Sequence, residues 1–172
     1  MKKMFLTAMF FIAALAGLEA QSYQWWVGGR TYFWKSDKMT TFSIAPEVGY
    51  HLSPKFTVAA SLGFNYENET MWGGARKEKG LIFNPYLRYT FLKQGIVLCF
   101  VDGGIDMGLL DYGGFQAGLK PGIAVLLSER FTAATQFGFL GYNDGKGIAR
   151  REKGFGFDLS GYCGTIAFFY SF

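Results

Sequence analysis

The 172-residue chain is 50% hydrophobic and 19% aromatic, is only 17% charged, holds 24 glycines and carries a formal net charge of +4. So many aromatics exclude a disordered linker, and the glycines show no collagen triplet. After Ala20 no apolar run reaches the roughly 20 residues that a membrane helix needs.

Lys2 and Lys3 precede an apolar run from Met4 to Leu18, and Leu18-Glu19-Ala20 offers a small-residue cleavage point before Gln21. The run is too short for a spanning helix and no stop-transfer pattern follows, so residues 1–20 are expected to be a secretory signal peptide. Residues 21–172 then form one domain by length.

From there the dominant signal is period two. In "TFSIAPEVGYHL" the apolar residues Phe42, Ile44, Pro46, Val48, Tyr50 and Leu52 alternate with small or polar ones, giving one greasy face. The pattern returns at Leu81 to Phe91, at Phe115 to Leu127 and in the tail through Ile166, Phe168, Tyr170 and Phe172. Tyr23 to Phe33, Phe56 to Tyr66, Ile96 to Leu109 and Phe131 to Tyr142 supply four further strands, for eight in all. Ser53-Pro54-Lys55, Lys93-Gln94-Gly95 and Ser128-Glu129-Arg130 are tight turns, whereas Asn68 to Lys79 and Asn143 to Lys153 are expected to be long charged loops. "LSPKFTVAASLGF" and "LSERFTAATQFGF" echo each other across a turn and the strand leaving it.

The expected fold class is therefore all-β: an eight-stranded antiparallel up-and-down transmembrane barrel, its short turns periplasmic and its long loops extracellular. A soluble sandwich would put its greasy face inside and charge outside, but here the polar face holds few charges and many Gly, Ser, Thr and Ala, which suits a narrow lumen. The outward aromatics sort into two belts, as interfacial girdles do. Tyr50, Phe56, Tyr89, Phe91, Phe131, Tyr170 and Phe172 stand by the short turns, and Phe33, Phe42, Phe64, Tyr66, Phe83, Phe115 and Phe139 by the long loops. A sheet in hydrocarbon must close on itself, so the last strand should pair with the first. Pro46, Pro85 and Pro121 break a strand rule by removing a ladder donor, and a bulge at each would reconcile them.

The inward parity collects Arg30, Glu47, Arg88, Asp102, Asp106 and Lys120, three positive and three negative. Neighbouring strands place Arg30 near Glu47, Arg88 near Asp102 and Lys120 near both aspartates. Such a network either plugs and registers the barrel or forms a polar path, and an eight-stranded barrel is about filled by its own side chains.

Enzyme chemistry, including lipid modification at the outer rim, finds little here. His51 is the single histidine and sits beside the short turn, away from that rim. Cys99 faces outward and Cys163 inward on non-neighbouring strands, which excludes a disulfide, and no spacing suggests a metal site or cofactor. Arg76, Lys77, Lys79, Lys146, Arg150, Arg151 and Lys153 fall in the predicted loops, where they would meet lipopolysaccharide phosphates or hold a surface polyanion as an adhesin does. Nucleic acid is not an expected partner.

The leader, the eight alternating strands and the terminal "IAFFYSF" together resemble the small outer-membrane β-barrel family of the OmpX and OmpA-barrel types. "FSIAPEVGYHLSPKFTVAASLGF" is most similar to the versions with proline in the downward strands. The resemblance implies export through the periplasm to the outer membrane of a Gram-negative bacterium. It also implies that Ile166, Phe168, Tyr170 and Phe172 are read by the barrel-assembly machinery. A structural or surface-interaction role is expected, with a narrow passive pore as the competitor, because such a fold fixes location better than activity.

Overall fold

A computed structural model describes residues 24–35, 39–71, 74–110, 113–145, 153–159 and 165–172. The expected signal peptide lies outside them. Ten strand segments follow in order: β1 (Trp25–Lys35), β2 (Met39–His51), β3 (Phe56–Met71), β4 (Gly74–Gln94), β5 (Val97–Leu110), β6 (Gly114–Leu126), β7 (Phe131–Gln136), β8 (Phe139–Asn143), β9 (Gly154–Asp158) and β10 (Thr165–Ser171). β7 and β8 pair with successive parts of β6, so they are two halves of one stave. β9 and β10 pair with β8 and β7 and form the last.

Eight antiparallel staves result, and they close. Each of the first six pairs with the next, and β10 returns to β1 through Trp26↔Ser171 to Gly29↔Phe168. The terminal residue is also tied in, since the Phe172 amide donates to the Trp25 carbonyl at 2.9 Å. No helix occurs among the described residues.

The bulge expected at each proline is found beside Pro121 alone. At Pro121 the partner stave gains one residue, because Gly122 faces Gln136 below it while Leu119 faces Leu140 above. The extra residue separates β7 from β8 and is a bulge of the expected kind. At Pro46 and Pro85 there is no shift; pairing lapses for two positions and resumes in the same register, Ile44↔Phe64 to Glu47↔Ser61 and Phe83↔Met107 to Tyr86↔Gly104. Beside Pro85 the Asn84 side-chain amide donates to the Ile105 carbonyl at 3.2 Å, replacing the bond that the imide cannot make. The other register shift lies between Thr90 and Leu92 and leaves Phe91 and Leu92 both exposed.

Two expectations are corrected. Asn68 to Lys79 is not a long loop: β3 and β4 run on as a ladder through Glu67↔Glu78 and Asn68↔Lys77 to Met71↔Gly74. This charged stretch shows no apolar alternation, which hid the strand. Phe139 does not face outward but is 6% exposed inside the barrel, because the bulge below it reverses the parity of the stave. Phe64, Phe83 and Phe115 do lie exposed on the outer wall, and the Phe33 side chain is outside the described set.

Apolar residues point out. Val27, Ile44, Val48, Leu62, Leu87, Ile105, Leu119, Ile123, Leu140 and Phe168 are all exposed, while the residues between them turn inward. Inward rings lie across glycines of the next stave. A Cβ on Gly49 would collide with the Trp26 ring, and one on Gly122 with Phe100. At such positions the ring on the next stave requires glycine. The two echoing turns are also built alike: Ser53 Oγ accepts from the Lys55 and Phe56 amides, and Ser128 Oγ from those of Arg130 and Phe131.

Candidate functional site: a layered interior

The interior begins with an apolar floor at the short-turn end. Trp26, Phe100 and Phe169 are 3%, 1% and 5% exposed and pack with Ala124, Ala134 and Ala167. Trp26 meets Phe169 edge to face with ring centroids 4.4 Å apart, a favoured aromatic geometry.

Directly on this floor lies the first charge layer. The Arg88 guanidinium sits over the Phe100 ring, 3.9 Å from its centroid, and grips Asp102 with two bonds, Nε to Oδ1 at 2.7 Å and Nη2 to Oδ2 at 2.9 Å. Asp102 is almost wholly buried and takes a third bond from Gln136 Nε2 at 2.6 Å. Its full set of partners is what makes a buried carboxylate tolerable. The chain continues as Arg30 donates to Gln136 Oε1 and Ser61 Oγ, each at 3.3 Å, and approaches Glu47 at 3.7 Å. Glu47 also accepts the Tyr86 hydroxyl. A cavity of only about 10 Å³ remains among Arg30, Glu47, Arg88, Phe100 and Gln136, about the space of one water at most.

A second polar layer lies nearer the long-loop end. Lys120 is the cross-strand partner of Asp102, yet its ammonium leans to Asp106, with bonds of 2.8 and 2.6 Å to the two carboxylate oxygens. Asp106 also accepts from Gln116, which in turn accepts from Asn143 Nδ2 at 3.4 Å. Asp102 is already saturated by Arg88 and Gln136, so its own cross-strand lysine turns elsewhere. All six charges anticipated from parity therefore stand inside the barrel as three pairs.

Parity alone did not single out Gln136, Tyr86, Ser61, Gln116, Asn143 or the floor rings. All but Asn143, which fell in the expected loop Asn143 to Lys153, sit on the inward parity of their staves, but uncharged polar and aromatic residues there carry no signal that separates a network member from a filler. His51 Nδ1 lies 2.8 Å from the Thr57 hydroxyl at the short-turn end, and Thr57 is buried, so this bond ties the end of β2 to the start of β3. Cys99 is a free, half-buried thiol. No group of three His, Cys, Asp or Glu side chains among the described residues forms a metal cluster.

Of the basic loop candidates, Lys79 and Lys153 are exposed. Arg76 and Lys77 have backbones in β4, with side chains outside the described set. Lys146, Arg150 and Arg151 lie outside the described residues, as does Cys163. In the final strand Ile166, Phe168, Tyr170 and Phe172 all project outward and are exposed, beside inward Ala167 and Phe169.

In comparisons with family models and with curated proteins, the chain matches none.

Proposed function

We propose that this chain is an integral outer-membrane barrel of the OmpX and OmpA-barrel kind, exported by a cleaved leader, with a structural and surface-interaction role and a closed lumen. One observation carries it: the exposed wall is apolar around the ring, from Val27 on β1 through Val48, Val58, Leu87, Ile105, Leu119, Phe131 and Phe168, while the charges are turned inside. A soluble fold would reverse that arrangement, because exposed apolar surface on this scale drives association in water. In lipid the same surface is solvated, and the pairing of β10 with β1 closes the ladder at the short-turn half of the barrel.

The partners proposed are outer-membrane lipid and lipopolysaccharide, the assembly machinery acting on Ile166, Phe168, Tyr170 and Phe172, and an extracellular ligand held by the basic residues near the long-loop end. No catalysis or cofactor is assigned. The filled interior and apolar floor support a sealed barrel over a pore.

Cell fractionation with unboiled and boiled electrophoresis tests the location. A mature chain that stays in the soluble periplasmic fraction and shows no heat-dependent mobility would overturn it. Planar-bilayer recordings test the lumen: the sealed barrel gives no steady conductance, and large steady steps from the purified protein would restore the pore.

A further inference from the structure

The short-turn end of the barrel is built twice. Pro46, Leu52, Ser53, Phe56 and Thr57 recur with identical spacing as Pro121, Leu127, Ser128, Phe131 and Thr132. The backbone repeats with them. The Leu52 amide donates to the Phe56 carbonyl at 2.9 Å and the Leu127 amide to the Phe131 carbonyl at 2.8 Å, while the amides of His51 and Leu126 donate to the carbonyls of Gln24 and Ile96, both at 2.8 Å. At this end the first four staves and the last four share one plan, on opposite sides of the barrel axis.

The repeat extends to the strand that ends each half. Phe56, Thr57 and Val58 pair with Tyr89, Arg88 and Leu87 of β4, and Phe131, Thr132 and Ala133 pair with Tyr170, Phe169 and Phe168 of β10. The Thr90 amide donates to the Lys55 carbonyl at 2.8 Å, and the Ser171 amide to that of Arg130 at 2.9 Å. By this register Leu87-Arg88-Tyr89-Thr90-Phe91 is the counterpart of Phe168-Phe169-Tyr170-Ser171-Phe172, with Phe91 and Phe172 exposed to 55% and 57%. An irregularity marks the same place. The β4–β5 register passes from Thr90↔Phe100 to Leu92↔Cys99 and skips Phe91, so the ladder is interrupted at the residue that matches Phe172.

Inside the barrel the two strands have diverged: Arg88, in the charge layer, stands at the position of Phe169, in the floor. Outside, Tyr89 and Phe91 match Tyr170 and Phe172 ring for ring. Lipid alone does not require this, because other matched outward positions have exchanged, Tyr50 against Val125 and Val58 against Ala133. A strand edge with alternate apolar side chains is what a strand-accepting protein reads, main-chain bonds giving affinity and pockets for alternate side chains giving selectivity. Until β5 pairs, that edge of β4 is free. Resting on the proposal above that the assembly machinery acts on Ile166, Phe168, Tyr170 and Phe172, we infer that Leu87, Tyr89 and Phe91 form a second docking segment for the same machinery, used by the first four staves before β5 joins them.

The test offers residues 21–172, unfolded in urea, to vesicles that hold the purified assembly machinery of a Gram-negative outer membrane, and follows heat-dependent mobility with time. Parallel samples fold unaided into vesicles of dilauroylphosphatidylcholine. Phe91→Ala should slow machinery-dependent assembly about tenfold, the loss expected on truncating one aromatic anchor of an interface, and leave unaided folding unchanged. Phe91→Trp should restore the rate, and Phe115→Ala, which removes an outward ring outside both segments, should leave it unaltered. Assembly of Phe91→Ala at the rate of the unaltered chain, equal slowing in both kinds of vesicle, or equal slowing by Phe115→Ala overturns the second segment. Phe172→Ala separates the two failures. If it slows machinery-dependent assembly while Phe91→Ala does not, only the second segment falls; if neither variant slows it, the reading of the terminal segment falls as well. A chain that acquires heat-dependent mobility in neither vesicle overturns the membrane location beneath both.

Discussion

The two ends of the interior solve one problem differently. At the short-turn end the charged pair Arg88–Asp102 rests on aromatic rings, is bidentate, and has almost no exposed surface on the acid. Toward the long-loop end Lys120–Asp106 keeps 20% of the lysine side chain exposed. Both are cross-strand pairs drawn from the same alternation. The lower pair is the more desolvated, so losing a partner strands a charge, and the upper one shares its charge with a neighbouring amide.

The sharpest way to break that contrast is Arg88→Met. It leaves Asp102 buried with Gln136 alone, and the expected cost is about 3–5 kcal/mol, read from the urea midpoint of the barrel folded in vesicles. A loss below about 1 kcal/mol would mean that the floor region is wetter than its burial implies. Lys120→Met should cost less, about 2 kcal/mol, because Asp106 keeps its bond from Gln116 and the lysine it loses is itself partly exposed. Salt sharpens the difference. Raising ionic strength from about 0.1 to 1 M should narrow the gap between Lys120→Met and the unaltered protein more than the Arg88→Met gap, because the upper pair is the more exposed of the two.

Asn84→Leu acts between the two layers. It removes the amide that satisfies the Ile105 carbonyl beside Pro85, with an expected cost of about 1–2 kcal/mol and faster amide exchange in β5. Restoring Pro85 to Ala in the same variant should recover most of the loss, since the backbone then supplies its own donor. The smallest effect belongs to the turns. Ser53→Ala and Ser128→Ala should each cost about 0.5–1 kcal/mol and by similar amounts, because the two serines make the same bonds. Unequal losses would show that the matching turns carry different loads.

Much of this was legible in the sequence because period two is a strong signal wherever one face is greasy. The stave count, the short turns and the six inward charges follow from parity alone. Parity fails where a residue is added, which is how Phe139 came to be expected on the wrong face: nothing in "TQFGFLG" marks which residue is the extra one until Pro121 is seen beside it. Alternation is also missing from the charged stretch Asn68 to Lys79, so the upper β3–β4 ladder read as loop. The pairing of charges was readable because each inward charge has an opposite charge on an adjacent stave, whereas the choice of Lys120 between Asp102 and Asp106 depended on a glutamine that composition does not distinguish. The apolar floor was hidden for a different reason: Trp26, Phe100 and Phe169 alternate with outward apolar residues, so the greasy character there is continuous and the two faces look alike.

The rings laid across glycines leave a trace that any set of naturally diverged copies of this barrel would display. Since Trp26 occupies the space where a Gly49 side chain would go, and Phe100 that of Gly122, enlarging one member demands shrinking the other on the adjoining stave. These positions should drift as exchanged couples, large with small, and a copy bearing two bulky residues at one such couple would have to be a barrel of different girth.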